Sequence, residues 1–133
     1  MNRVDAESFT RRWAAAVATG GDEAWNALLA DDVRDLSGGL TQSGRDSFKQ
    51  RTTLVRSAFD RVSVRVDDLV IEGDRLAWRW TFEGTHTGPF AGVAPTHKQV
   101  VLRGVNVQTL REGKVVEHWT LADLAGTLRQ LGG

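Results

Sequence analysis

The sequence predicts an α+β fold, with three N-terminal helices on one face of a curved antiparallel sheet. Two observations carry this. Up to Asp60 the apolar residues recur at helical spacing between Gly and Asp stops; beyond Asp60 the period falls to two and stays there through a long meander. Helices grouped ahead of strands, rather than alternating with them, segregate to one side of an antiparallel sheet. A strongly curved sheet then leaves a cavity between its concave face and the helices, a usual place for a ligand.

Taken in order, AESFTRRWAAAVATGG sets Phe9, Trp13, Ala16 and Val17 on one helical face and stops at Gly20-Gly21. Asp22 is placed to cap a shorter helix, EAWNALLA, with Trp25, Leu28 and Leu29 on its apolar side. DDVRDLSGGL reads as a short extended piece ending in a Gly turn. A third helix fits GRDSFKQRTTLVRSAF, with Phe48, Leu54, Val55 and Phe59 on or near one face.

The first strand of the meander alternates Val62, Val64 and Val66 with Ser63, Arg65 and Asp67, and the pair Asp67-Asp68 breaks the register as a bulge does. A turn at Glu72–Asp74 leads into RLAWRWTFEG, where Trp78, Trp80 and Phe82 share a face. The loop THTGPFAGVAPTH carries both prolines. KQVVLRGVNVQTL then turns at Arg111-Glu112-Gly113 into KVVEHWTLA, a second hairpin, and DLAGTLRQLGG forms a terminal helix capped by Asp123.

Composition narrows the functions. The 133 residues make one domain, 1–133, of zero formal charge with acids and bases interspersed, so the basic face that nucleic acid needs is missing. No apolar run is long enough to span a bilayer, and MNRVDAESF lacks a signal-type apolar region, which predicts a soluble, cytoplasmic protein without membrane partners. With no Cys and three scattered His, thiol chemistry is excluded and metal binding is not expected. The chain has five Trp and five Phe but no Tyr, so no mechanism can use a phenol.

WTFEGTHTGPFAGVAPT, the turn REGKVVEHW and the ending LRQLG, within an element order that covers nearly the whole chain, resemble the SnoaL-like polyketide cyclase family of the nuclear-transport-factor-2-like superfamily. The resemblance implies a cone-shaped α+β barrel around a cavity and a homodimer or homotetramer built on the outer sheet face. It also implies ring closure of a hydrophobic small molecule by acid/base residues. Such cyclases carry an acid/base Asp directly after the Trp of the EHW motif, where this chain has Thr120. A Thr hydroxyl orients groups but does not ionise near neutral pH. The Tyr often found in the first helix is absent, with Ala14 or Trp13 nearest in register, and the His that frequently follows the Asp of the first strand is Leu36. ADDVRDLSG, Ala30 to Gly38, is similar, though two residues shorter, to the stretch of ketosteroid isomerases that holds the catalytic base; Asp35 is the counterpart.

A hairpin turning at Glu112-Gly113 pairs residues whose numbers sum to about 225 or 226, so Asn106 faces Thr120 and Gln108 faces His118. Period two sets Gly104, Asn106 and Gln108 on one side with Val116, His118 and Thr120, inward if position 120 points inward as the resemblance implies; Glu117 and Trp119 then look outward. The expected catalytic pair is Asp35 and His118; the structural alternatives are a turn or cap at Asp35 beside Ser37 and Gly38, and for His118 a hydrogen bond to a neighbouring strand or a place against Glu117 at the rim. Desolvation would make the carboxylate a usable base, and an imidazole titrates near neutrality. Asn106, Gln108 and Thr120 are expected to bind substrate oxygens, Trp78, Trp80, Phe82 and Trp13 to supply flat apolar walls, and His86 to shape the cavity mouth or the loop. His97 reads as a solvated loop residue.

The function so predicted is a cofactor-independent cyclase or isomerase acting on a polyketide-like or terpenoid-like molecule. The alternative is a ligand-binding or conformer-templating module that works by orientation alone. Epoxide hydrolysis ranks third, because Tyr is absent and no inward Arg between two acids is evident.

Overall fold

The computed structural model describes residues 1–37 and 42–132. Asn2 caps α1 (Arg3–Thr19) by accepting from the Asp5 N–H at 2.8 Å, and the helix ends at Gly20. Its predicted face is buried: Phe9, Trp13 and Ala16 are 2–4% exposed, with Val17 packed beside them. The short α2 (Asp22–Leu28) starts one residue earlier than predicted. Gly21 is the cap and Asp22 is the first helical residue, where its charge suits the positive helix end. β1 (Leu29–Asp35) follows directly, then β2 (Gln42–Ser43) and α3 (Asp46–Ala58). The expected Gly38-Gly39 turn lies outside the described residues.

Helix α3 is tied at both ends. Arg45 donates to the Leu29 carbonyl through Nε and Nη2 at 3.1 and 3.0 Å, while Arg56 donates to the Ala16 carbonyl of α1 at 2.6 Å. The second contact sets a cation on the negative end of α1, at a carbonyl that also accepts from the Gly20 N–H. The face that α3 buries is Phe48, Thr52 and Ala58; Leu54, expected on it, is 67% exposed. Its residue spacing from Phe48 puts it on the solvent side of the helix.

The meander comprises β3 (Phe59–Glu72), β4 (Arg75–His86), β5 (Gln99–Arg111) and β6 (Lys114–Ala122), with α4 (Leu124–Gln130) after it. The Asp67-Asp68 bulge is present, as a register shift between Val66 and Asp68, and Asp123 caps α4 by accepting from the Gly126 N–H at 3.0 Å. The strand order is β2-β1-β6-β5-β4-β3, so β2 and β3 are edges and the curved sheet stays open instead of closing into a barrel. The pairings are antiparallel except one: β1 runs parallel to β6. An all-antiparallel sheet was expected from the hairpins, but β1 reaches its neighbour through α3 and the whole meander rather than through a turn.

The β5–β6 register follows the predicted sum. Asn106 pairs with Thr120 and Gln108 with His118, and the sum drops to 225 at a shift between Thr109 and Leu110. That shift exchanges two valines: Val115 is fully buried, whereas Val116, expected inward, is half-buried. Two apolar clusters fill the space between sheet and helices, one around Trp13, Trp25, Phe48 and Trp78, the other around Phe59, Phe82 and Val100. Truncating any of these rings to Ala is expected to cost about 3–5 kcal/mol.

Candidate active site

Between the helices and the concave sheet face lies a cavity of about 180 Å³. Its walls come from every layer: Trp13 from α1, Trp25 from α2, Phe48 and Arg51 from α3, Trp78, Trp80 and Phe82 from β4, and Asn106, His118 and Thr120 from β5 and β6. Gly104 admits one of these walls, because a Cβ there would overlap the Trp80 ring that crosses it. Arg51 is the one charged side chain among the lining residues, and with 41% of it exposed it marks where the cavity reaches solvent.

His118 sits at the centre of the polar wall. It stacks on Trp13 with centroids 5.1 Å apart at 20°, and meets Phe48 edge-on at 5.1 Å. Burial pushes its pKa down to about 4; Asp35 opposes that shift and Arg51 adds to it. The imidazole is therefore neutral at physiological pH, a hydrogen-bonding group rather than a cation. Gln108 Nε2 lies 3.0 Å from His118 Nδ1, and the Trp78 indole donates to Gln108 Oε1 at 2.8 Å. A second indole, Trp80, donates to Asn106 Oδ1 at 3.0 Å.

Asp35 is the partner of His118 in the parallel β1–β6 pairing and is 5% exposed. The Ser37 N–H donates to its Oδ1 at 3.0 Å, and its Oδ2 is bonded by Arg51 Nη2. The same Ser37 reaches β6, where its hydroxyl accepts from the Thr120 N–H at 3.0 Å. Arg51 is held from the other side by Phe48, whose ring lies 5.0 Å from the guanidinium carbon.

The structure thus brings together Trp13, Trp78, Trp80, Phe82, Asn106, His118 and Thr120 on the cavity wall. Three predicted site residues are placed differently. Asp35 stands one side chain back, behind Arg51. Gln108 is behind His118, outside the cavity lining, with its oxygen engaged by Trp78. His86 is fully buried at the end of β4, where Nδ1 accepts from the Thr96 N–H at 3.1 Å; it anchors the loop base and takes no part in the cavity wall. Leu36 is half-buried and outside the wall as well.

Arg51 is the charged cavity-lining residue the sequence reading missed. The available signal was an Arg at helical spacing from Phe48 and Val55, on the apolar side of α3. It lines the cavity but pairs with one acid, Asp35, and does not stand between two.

The chain matches the SnoaL-like polyketide cyclase description over residues 7–131. The chain belongs to the SnoaL-like polyketide cyclase family. Among curated relatives, the nogalonic acid methyl ester cyclase of Streptomyces nogalater is 31% identical over 93 residues, 68% of each chain. Among solved structures, TsrD from Streptomyces laurentii superposes with a TM-score of 0.89 at 25% identity, covering 99% of this chain and 98% of that one. IdmH from Streptomyces antibioticus gives 0.85 at 27% identity, covering 96% and 98%. Membership and the cyclase relative support a polyketide cyclase role in general terms. Among the described residues of this SnoaL-like chain, no cluster of three or more His, Cys, Asp or Glu is placed to hold a metal ion, and no helix is long and apolar enough to cross a membrane.

A wider, shallower groove of about 700 Å³ runs outside, between α1 and β3. Arg3, Glu7 and Asp68 rim it and neither Arg51 nor His118 lines it, so the smaller cavity between helices and sheet is the candidate site.

Proposed function

We propose that this protein closes a carbon ring in a polyketide-like small molecule, using only its own side chains. The supporting observation is a neutral imidazole and an oriented amide on the wall of an aromatic cavity, with a carboxylate one side chain away. Asp35 accepts a proton from a carbon acid next to a carbonyl. The C–H electron pair moves onto the carbonyl as an enolate, whose oxygen is held by the His118 Nε2–H and the Asn106 amide. The enolate carbon adds to a second carbonyl carbon, and the new alkoxide takes the proton back, so no atom enters or leaves. Swinging Arg51 off Asp35 toward a substrate oxygen exposes the base and adds a cationic donor at the same moment.

A second reading is favoured by one observation, that the Asp35 carboxylate is already engaged by Arg51 and Ser37. In it the cavity folds a reactive intermediate and accelerates closure by orientation alone. One experiment separates the two. Nogalonic acid methyl ester serves as probe, followed by chromatography for a product of unchanged mass, with wild type, Asp35→Asn and Asn106→Ala compared. Proton transfer predicts that Asp35→Asn lowers turnover by about 10²–10⁴-fold. Turnover that is independent of Asp35 and of pH assigns the cavity to templating, and absence of product with the probe and related diketones removes the cyclase reading.

The outer sheet face is proposed as the contact with a second copy of the chain. Val70, Ala77, Val107 and Trp119 form one row across β3, β4, β5 and β6, with Leu121 beside it; Val70 and Leu121 are each 61% exposed.

A further inference from the structure

The hydrogen bonds behind His118 have a direction that can be worked out from donor chemistry alone. An indole N–H only donates, so the group 2.8 Å from Trp78 Nε1 must be the carbonyl oxygen of Gln108. This fixes the amide, whose NH₂ is left facing His118 Nδ1 at 3.0 Å. An NH₂ also only donates, so Nδ1 must accept and carries no proton. In a neutral imidazole the proton then resides on Nε2, the nitrogen on the other edge of the ring. Gln108 does not line the cavity and His118 does. The ring edge turned from Gln108 is therefore the one available to a ligand.

We propose that Trp78 and Gln108 are positioning residues that lock His118 as an N–H donor toward the cavity. This rests on the reading of His118 as a substrate-facing group and specifies what it does there. The lock acts by exclusion. For His118 to present a lone pair instead, Nδ1 would take the proton and point it at the Gln108 NH₂. The amide could relieve that clash only by flipping, which would set its NH₂ against the Trp78 N–H. Either arrangement leaves two donors facing each other in a buried site, where an unmade hydrogen bond costs more than its partner contributes when made. Trp80 orients Asn106 by the same logic, since its indole occupies Oδ1 and leaves the amide NH₂ free. The polar wall thus offers donors to an oxygen of the ligand, and His118 is an electrophile in the reaction rather than its base.

The test reads the tautomer directly, in the free protein at pH 7, where no turnover is needed. Imidazole nitrogens are labelled with ¹⁵N and observed through their two-bond couplings to the ring protons; His118 is assigned by the pattern lost in His118→Gln. Expected is a pyridine-type resonance for Nδ1 and a pyrrole-type resonance for Nε2. In Trp78→Phe and in Gln108→Met the lock is removed, and the two His118 resonances are expected to move toward each other as the tautomers mix. A wild-type proton on Nδ1 overturns the proposal without need of any variant. So does an unchanged Nε2–H tautomer in both folded variants, since the cavity would then set it by other means. Because tautomer and turnover are read separately, the lock can stand if no ring closure is found, and it can fail while the protein remains a cyclase.

Discussion

Asp35 and His118 are side by side across the parallel β1–β6 pairing, yet the imidazole looks into the cavity while the carboxylate is turned to Arg51. The two residues expected to share the chemistry are thus adjacent but not equivalent. Arg51, from a helix on the opposite layer, decides what the carboxylate can reach.

Arg51→Met keeps an unbranched chain against Phe48 and removes the charge. Among the described residues, Asp35, 5% exposed, is left with the Ser37 N–H as its partner. The expected destabilisation is about 1–3 kcal/mol, below the range for a fully buried pair because the guanidinium is partly solvated. Urea unfolding at pH 7 measures it, and a change under about 0.5 kcal/mol would mean that the pair is energetically a surface one.

His118 makes stability depend on pH in a definite direction. Its folded-state pKa, about 4, lies below the ordinary value of 6.5, so the unfolded chain binds the extra proton first. The contribution is complete above about pH 6.5 and is lost as pH falls through the window down to 4, amounting to about 3 kcal/mol at the acid end. The acid limb of a stability-versus-pH curve, measured by urea midpoints, should flatten in His118→Gln. Parallel curves for the two proteins would refute the assignment of this slope to His118.

Gly104→Ala introduces a Cβ that overlaps the Trp80 ring and the Leu121 carbonyl. Strand and ring cannot both remain, and overpacking of this kind costs about 1–3 kcal/mol. The displaced indole also releases Asn106. Near-ultraviolet circular dichroism should lose Trp intensity while the far-ultraviolet spectrum holds; an unaltered near-ultraviolet spectrum would show that Trp80 does not need the space.

Thr120→Asp places a carboxylate on the cavity wall opposite Asn106. Thr120 is two residues from His118 on the same strand face and lines the same cavity. A new anion there favours the imidazolium, so the His118 pKa is expected to rise from about 4 toward its ordinary value. Titration of the His118 ring protons by NMR checks this. No movement would mean that side chain 120 and the imidazole do not share an environment.

Trp119→Lys places a charge in the middle of the outer apolar row. Sedimentation velocity should find wild type as a dimer or tetramer and the variant shifted to monomer, with the cavity chemistry still measurable. A wild-type monomer at micromolar concentration would end the proposal of a self-contact on this face.

Much of the fold was legible in the sequence because much of it is local. Helical spacing around Trp13 and Phe48, alternation through Trp78, Trp80 and Phe82, and closure of a hairpin at Glu112-Gly113 each involve residues a few positions apart. From that turn alone, period two matched Asn106 with Thr120 and Gln108 with His118 and set them on one face. The bulge that exchanged Val115 for Val116 was not legible, since nothing in the local pattern marks where a ladder slips. The chemistry of the site depended on contacts between layers. Arg51 bonds Asp35 from α3, β6 accepts β1 in parallel, and His86 is tied to Thr96 rather than to the cavity. Composition and periodicity by themselves determined which residues are polar and, apart from slips such as Leu54 and Val116, which residues share a face. Which inward polar groups meet one another, and so which is donor, acceptor or ion-pair partner, was decided only when the helices packed onto the sheet, because hydrogen bonds are made between atoms in space and periodicity specifies faces, not partners.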